Sequence, residues 1–467
     1  MLNALNAMAN CKFLRQKKQV KINGEWVDTR SYRYLPYCDG GTSYVIIKGG
    51  KSNETIYIHT EKYGDGNTTR HKVTLDADGN GYLELENDDC VKFVSSKCYK
   101  LLINGCYVGP FTCLGVKEVV VSCSRYNGDI DIGGYYPPLR FITSITFKGF
   151  DTSNVTDMSQ MFLECHVKTL DVSSFNTSKV TDMYGMFGGC INLTHLNASS
   201  FDTSNVTDMN AMFAYCKNIQ SIDVSSFDTS KVTDMARMFT HCYELTSLDV
   251  SSFDTSNVTN MSCMFEDCRK LESIDVSSFD TSKVTRMNSM FYSSNVKSLD
   301  VSSWDTSNVT DMSDMFAYCK NLSSIDVSSF DTSNVTDMSG MFRSGIFYDT
   351  TEILGLSSFN TSKVTSMDSM FEYQQKFTSL DLSGFDTSNV TDVSGMFRNC
   401  DSLETLNLSG WDFSKATINN PIYMEGIFLG DHSLKTIYMR GCSQVTINLI
   451  KSELKDEHLL DQVTIIT

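Results

Sequence analysis

The stretch Cys216-Lys-Asn-Ile219-Gln-Ser-Ile222-Asp-Val224-Ser-Ser-Phe227-Asp-Thr-Ser-Lys231-Val-Thr-Asp-Met235-Ala-Arg-Met238-Phe239 decides the fold, because close copies of it recur through most of the chain. Aligned on the aromatic of Ser-Ser-Phe, the copies carry Phe150, Phe175, Phe201, Phe227, Phe253, Phe279, Trp304, Phe330, Phe359, Phe385 and Trp411. The spacing is 25 or 26 residues, apart from one step of 29 where Phe347–Thr351 carries a small insertion. A fixed period in this range is the mark of a solenoid, in which each coil buries its apolar face only against its neighbours. Such repetition favours an extended binding surface over a single catalytic pocket.

Within one copy, Ile219, Ile222, Val224 and Phe227 recur at i, i+3, i+5 and i+8, and Asp223 alternates with the apolar residues as in a short half-buried strand. This is a leucine-rich-repeat rhythm with an aromatic in place of the frequent asparagine. Asp228-Thr-Ser-Lys231 supplies turn chemistry, since Asp and Ser side chains bond their own backbone. Val232-Thr-Asp-Met235 reads as a second extended piece. Met238, Phe239 and Cys242 then suit one face of one or two helical turns. Residues of helix N-cap type follow the second piece at Ser159, Asn210, Ser262, Asn288, Ser313, Ser339, Asp368 and Ser394. The expected coil is therefore strand, turn, strand, short helix. A single helix running from Asn-Val-Thr to the Cys is the alternative, because Val206, Met209, Met212, Phe213 and Cys216 also make a helical stripe. The β-branched Val-Thr pair and the internal capping residue argue against it.

The string Leu-Asp-Val-Ser-Ser-Phe-Asp-Thr-Ser-Asn-Val-Thr-Asp-Met-Ser-x-Met-Phe-x-x-Cys-x-x-Leu closely resembles the BspA-type leucine-rich repeat of bacterial surface proteins, over residues 139–417. That resemblance implies adhesion without naming a ligand. The tail from Leu434 to Thr467 resembles the terminal segment of such proteins from gut Bacteroides and their phages, and Asn10-Cys-Lys-Phe-Leu-Arg with Asn23-Gly-Glu-Trp-Val-Asp resembles N-terminal segments of Bacteroides phage proteins, crAss-like ones included. The fold class that follows is an α/β solenoid, a leucine-rich-repeat-like stack of about ten 25–26-residue coils over 139–417. An N-terminal tail at 1–18 and a small β-rich domain at 19–138 precede it, the domain serving as attachment or cap. A helix–strand cap at 418–467 closes it, because an open last coil exposes apolar surface and unpaired strand edge.

The β-rich segment is read from the hairpin signal Val20-Lys-Ile-Asn23-Gly24-Glu-Trp-Val and from further strands at Tyr44–Lys48, Thr55–His59, His71–Leu75, Tyr82–Glu86, Cys90–Val94, Lys100–Ile103 and Lys117–Ser122, a density that suits a small sandwich or barrel. Inside it, Asp76-Ala-Asp78-Gly-Asn80-Gly81-Tyr82 matches half of an EF-hand loop. The twelfth position is Asn87 where a bidentate Glu is needed, so a hairpin turn is the reading.

Two acidic columns run through the repeats. Asp171, Asp223, Asp249, Asp275, Asp300, Asp326 and Asp381 alternate with buried residues of the first strand, and are expected to line an exposed face where a ligand would bind. Asp202, Asp228, Asp254, Asp280, Asp305, Asp331 and Asp386 precede Thr-Ser and are expected to close turns. Asn205, Asn257, Asn308, Asn334 and Asn389 head Asn-Val-Thr triplets and are read as turn residues, not glycan acceptors. Lys179, Lys231, Lys283 and Lys363 take the same slot and would relieve acidic repulsion. Cys165, Cys190, Cys216, Cys242, Cys268, Cys319 and Cys400 share one column with Ser294 and Gly345, which suits a small buried residue better than a disulfide or a metal ligand.

A net charge of −17 disfavours nucleic acid, which demands Lys and Arg against phosphate. No apolar run is long enough to span a membrane. The opening Met1-Leu-Asn-Ala-Leu-Asn-Ala-Met has no basic region and no continuous apolar core, so it does not read as a secretory signal. The histidines His59, His71, His166, His195, His241, His432 and His458 share no column, and no nucleophile elbow or phosphate loop is present. No catalytic residue, cofactor or metal is therefore assigned. An adhesin repeat without an export signal fits a virion protein assembled in the host cytoplasm. The expected function is a non-enzymatic phage fibre or appendage that binds a bacterial surface glycan or protein through its repeats and other virion proteins through residues 1–138, with homo-oligomerisation left open. The alternatives are a bacterial cell-surface adhesin and a purely architectural virion component.

Overall fold

Up to three Asx turns bend a coil. In the coil that begins at Cys190, the Oδ1 of Asn197 accepts the Ser199 amide at 2.9 Å, that of Asp202 the Ser204 amide at 3.1 Å, and that of Asp208 the Asn210 amide at 2.8 Å. The same three corners recur later at Asp300–Ser302, Asp305–Ser307 and Asp311–Ser313. Each is the local side-chain-to-backbone bond that Asp and Asn offer in place of regular structure. Between corners, Leu193, Leu196, Ala198, Phe201, Val206, Met209, Met212, Phe213 and Cys216 point into a dry interior. Each fully buried Leu, Met or Phe contributes roughly 1.5–3 kcal/mol through its removal from water.

The computed structural model describes residues 18–22, 25–29, 43–48, 52–62, 68–78, 81–85, 89–94, 100–104, 118–122, 144–148, 152–153, 155–165, 167–345, 351–414 and 422–467. They fall into two units, Met1–Val232 with His241–Leu248, and Thr233–Thr240 with Asp249–Thr467. Parallel β-solenoid coils build both, about nine turns among the described residues.

In the first unit, strands β1 (Lys18–Ile22) and β2 (Glu25–Thr29) pair antiparallel with Ile22 opposite Glu25. The Asn23-Gly24 turn between them lies outside the described residues. The further strands are β3 (Ser43–Lys48), β4 (Thr55–Lys62), β5 (Thr68–Thr74), β6 (Gly81–Leu85), β7 (Asp89–Val94), β8 (Lys100–Asn104), β9 (Glu118–Ser122) and β10 (Ser144–Lys148). They form a three-stranded antiparallel sheet, β5-β4-β7, and a five-stranded sheet, β10-β9-β8-β3-β6. The second is mixed: β3 pairs antiparallel, whereas β8, β9 and β10 are parallel. Ser144 pairs with Glu118, one repeat length upstream. The ladder therefore runs across residue 138, and Glu118-Val-Val-Val-Ser122 stacks under the first repeat although its sequence carries none of the repeat's turn residues. Strands β11 (His195–Asn197) and β12 (Ser221–Asp223) continue in parallel, Leu196 opposite Ile222.

In the second unit β13 (Ser324–Asp326) pairs with β14 (Glu352–Leu354), and β15 (Ser379–Asp381), β16 (Thr405–Asn407), β17 (Thr436–Tyr438) and β18 (Thr464–Ile466) form one parallel sheet. Helix α1 (Gln444–Asp456) lies between β17 and β18. Ser443 caps it by accepting the Thr446 amide, and Ile447, Ile450 and Leu454, spaced for one face, are buried.

The short helix expected in every coil is absent from the described coils. The second extended piece is a single parallel bridge per coil, Asp157 to Asp182 to Asp208 in the first unit and Asp234 through Asn260, Arg286, Asp311 and Asp337 onward in the second. After it the amides alternate. Met158, Gln160, Phe162 and Glu164 donate to the carbonyls of Asp182, Tyr184, Met186 and Gly188 in the next coil, while Met161, Leu163 and Cys165 close turns three residues back. In most coils two residues, four apart, take left-handed conformations, Gln160 with Glu164 and Ala211 with Tyr215 among them. A right-handed helix cannot pass through such residues, and its amides would have to bond internally. The Met-Ser-x-Met-Phe stripe has helical spacing because a chain of turns also brings every third or fourth residue inward. The N-cap signal at Ser159, Asn210, Ser313 and Ser394 is the third residue of an Asx turn, whose amide closes it.

Candidate functional site

Asp171 and Asp223 stand exposed in the first unit, with Asn197 opposite Asp223 in the ladder. Asp249, Asp275, Asp300, Asp326 and Asp381 stand exposed in the second, where Leu354 lies opposite Asp326 and Asn407 opposite Asp381. The column faces solvent as expected, but its carboxylates are already engaged. Asp171, Asp223, Asp275 and Asp300 each accept both the amide and the hydroxyl of the serine two residues on, at 2.6–3.2 Å. Asp249, Asp326 and Asp381 accept the equivalent amides of Ser251, Ser328 and Ser383. These bonds hold each carboxyl below its ordinary range. At Asp275 the Ser277 hydroxyl and amide outweigh the opposing push of Asp249 and Asp300. In-register repulsion is thus offset within each coil by the serine hydrogen bonds.

The other repeated polar residues are also consumed by stacking. Thr177 donates its hydroxyl to the Asp202 carbonyl at 2.9 Å and accepts the Asp202 amide at 2.8 Å, and it is buried. Thr281, Thr306, Thr332 and Thr361 repeat the first bond in the second unit. The Asn205 side chain donates to the Ser178 carbonyl and accepts Lys231 Nζ at 2.7 Å, and Lys283 donates likewise to Asn257. The lysines therefore join the coil-to-coil ladder, and the charges of Lys231, Lys283 and Lys363 also help to lower the carboxyls of Asp228, Asp280 and Asp331, after the Ser230, Ser282 and Ser333 bonds. The column cysteines are buried, and six of them donate a thiol to a phenylalanine carbonyl one coil back, as Cys190 to Phe162, Cys216 to Phe187 and Cys268 to Phe239. Burial pushes the Cys165 and Cys319 thiols up to about 12. Among the described residues no three His, Cys, Asp or Glu side chains gather as a metal site. Asp76 accepts the Asp78 amide at 2.9 Å in a turn between β5 and β6, and residues 79–80 of that loop lie outside the described residues. Phe150 and His166 likewise lie outside them.

What varies from coil to coil is the left-handed corner before and around the Cys column. In the first unit it carries Tyr215, 47% exposed, with its ring 4.5 Å from His241, which in turn meets Tyr243 edge-on at 5.6 Å. Lys217 Nζ lies 5.7 Å from the Tyr243 ring centre. In the second unit, Tyr292 and Tyr318 meet edge-on at 5.3 Å, and the Arg343 guanidinium sits 5.6 Å from the Tyr318 ring centre. Arg343 also contacts Glu372, whose other oxygen lies 3.9 Å from Arg398. None of these residues belongs to the acidic column that the sequence singled out. The signal that finds them is irregularity: Tyr215, His241, Asp267, Ser293, Tyr318 and Tyr373 occupy one column, and Tyr292, Ala317, Arg343, Glu372 and Arg398 the one before it, without sharing a chemistry.

Three corner turns, parallel bridges and stacked side-chain columns define a parallel β-solenoid repeat protein. Residues 140–223, 190–295, 216–324, 271–351 and 320–429 match the family described as "Mycoplasma protein of unknown function, DUF285". The windows overlap and together cover more than half of the chain, which belongs to this family. The family and the solenoid fit a repeat surface protein. Comparison with curated proteins finds none that matches the chain.

Proposed function

We propose that the chain is a non-enzymatic receptor-binding protein, a fibre or appendage of a phage virion whose coils contact the surface of a bacterial host. The observation that carries this reading is the division of labour within the coil. Recurrent Asp, Ser, Thr, Asn and Cys side chains are spent on turns and coil-to-coil bonds, whereas the left-handed corner varies and holds aromatic and charged groups. A fixed frame with a variable edge is how solenoids present a recognition surface. The virion setting rests on the likeness of the terminal segments to Bacteroides phage proteins. Helix α1 and β18 act as the closing cap, and residues 1–138 as the attachment to the particle.

Intact Bacteroidales cells incubated with the full chain test this: retention on at least one strain supports it, and retention on none removes it. The likeness of the repeats to those of bacterial surface proteins favours a second reading, a bacterial cell-surface adhesin. Immunogold labelling separates the two, since the first reading places the chain on purified particles and the second on the envelope of uninfected cells.

A further inference from the structure

The corner of the second unit around Arg343 combines features absent from the repeated faces. Tyr292 and Tyr318 present a half-buried edge-on ring pair. Arg343 and Arg398 share the single carboxylate of Glu372, whose side chain is 4% exposed, while the two arginine side chains remain 31% and 32% exposed. The Nε of each arginine is buried and has no hydrogen-bond partner. These are strong planar donors already held in place. Gly426 leaves Arg398 room, since a Cβ there would stand 2.7 Å from Nη2, and Gly340 leaves room for the Asp314 carboxylate.

Acceptors surround the donors. Asp314 and Asp368 are half-buried on the same corner, both held above the ordinary carboxyl range, chiefly by burial, and both feel the opposing charge of Arg343. An anionic ligand would meet Glu372, Asp314 and Asp368 along with the arginines, in a chain of net charge −17. A neutral ligand carrying many hydroxyls, each both donor and acceptor, meets no such opposition and can use guanidinium and carboxylate together. Ring faces bearing C–H groups match the tyrosines.

We propose that the corner formed by Tyr292, Tyr318, Arg343, Glu372 and Arg398 binds a neutral glycan, with Glu372 holding the two arginines, a sugar ring against the tyrosines, and its hydroxyls on the guanidinium groups and the half-buried carboxylates of Asp314 and Asp368. This deepens the receptor-binding reading and rests on it.

The test uses the full chain on a retaining bacterial strain whose cells are oxidised with periodate, which cleaves vicinal diols, or digested with proteinase K. Periodate is expected to abolish retention and the protease to leave it intact. Raising the salt concentration is expected to change it little, because no net ligand charge is screened. Tyr318→Ala and Arg343→Lys are each expected to weaken retention at least tenfold with unchanged thermal unfolding. Loss after protease but not after periodate makes the receptor a protein and overturns the proposal. Steep weakening with salt makes it an anion and does the same. Full retention by both variants moves the site elsewhere. Each of these leaves the chain a receptor-binding protein, whereas retention on no strain removes that broader reading itself. Should Tyr318→Ala fail to fold, the periodate, protease and salt arms on the native chain still decide.

Discussion

The sulfur of Cys216 lies 3.1 Å from the carbonyl oxygen of Phe187, one coil back, and the thiol donates to it from a fully buried position. That carbonyl belongs to the turn that carries the stacked ring of Phe187, 5.5 Å from both Phe162 and Phe213. Cys216→Ser keeps a donor and is expected to change stability little, as Ser294 in the same column suggests. Cys216→Ala loses the donor and leaves a small void, costing about 1–2 kcal/mol. Denaturant midpoints of the two variants measure the difference.

Thr177 makes a sharper case. Thr177→Val preserves shape but strands the part-buried amide and carbonyl of Asp202, each otherwise held by the threonine hydroxyl. A loss of about 1 kcal/mol is expected, the low end of the roughly 1–3 kcal/mol that a stranded buried group costs, because these bonds are part-buried. Faster hydrogen exchange at the Asp202 amide is the local readout, and Thr177→Ser is expected to restore protection.

Asp431 occupies the cysteine column in the second unit, fully buried, with Oδ1 accepting the Cys400 amide at 2.8 Å and Oδ2 without a hydrogen-bond partner. Burial pushes its carboxyl from 3.8 up to about 8. The folded chain therefore holds a proton that the unfolded chain has released, and this group's contribution to stability is complete below about pH 4 and falls as pH rises towards 8. Denaturation midpoints measured across that range are expected to decline less steeply in Asp431→Asn than in the native chain.

Gly355 has φ +88°, and a Cβ there would collide with the backbone of Ser328. Gly384 has open space around its Cα. Gly355→Ala is expected to destabilise by 3 kcal/mol or more, on the order of a left-handed penalty added to a backbone clash. Gly384→Ala is expected to leave the melting temperature unchanged or slightly raised.

Asp223→Asn retains the acceptor for the Ser225 amide, as Asn197 does for Ser199 in the neighbouring strand. It is expected to preserve both stability and cell binding. Asp223→Ala removes the turn bond and is expected to cost about 1 kcal/mol without weakening cell retention. A loss of retention in either variant would return the binding site to the acidic face.

Much of the coil was readable because local chemistry dictates it. Asp228-Thr-Ser announces a turn wherever it occurs, and the carboxylate of Asp228 accepts the Ser230 amide at 3.0 Å as that chemistry requires. Ile222 and Val224 alternate with Asp223 because a strand has period two, and both are buried. The helix reading failed at Met209 and Met212 because a helix and a succession of turns share that spacing, and only the destination of the amides separates them.

By itself the sequence determined the period, the inward residues and the places where the chain turns, since each follows from side chains acting on their own backbone or on identical neighbours. The tertiary structure alone decided that the Met-Phe segments donate to the next coil instead of to themselves, that the Asp column is occupied by its own serines, and that Tyr318, Arg343, Glu372 and Arg398 share one corner. These residues are a coil or more apart in sequence and differ in type, so no periodic pattern marks them. Stacking sets them side by side because each coil returns the chain to the same corner one strand spacing further on, about 4.8 Å.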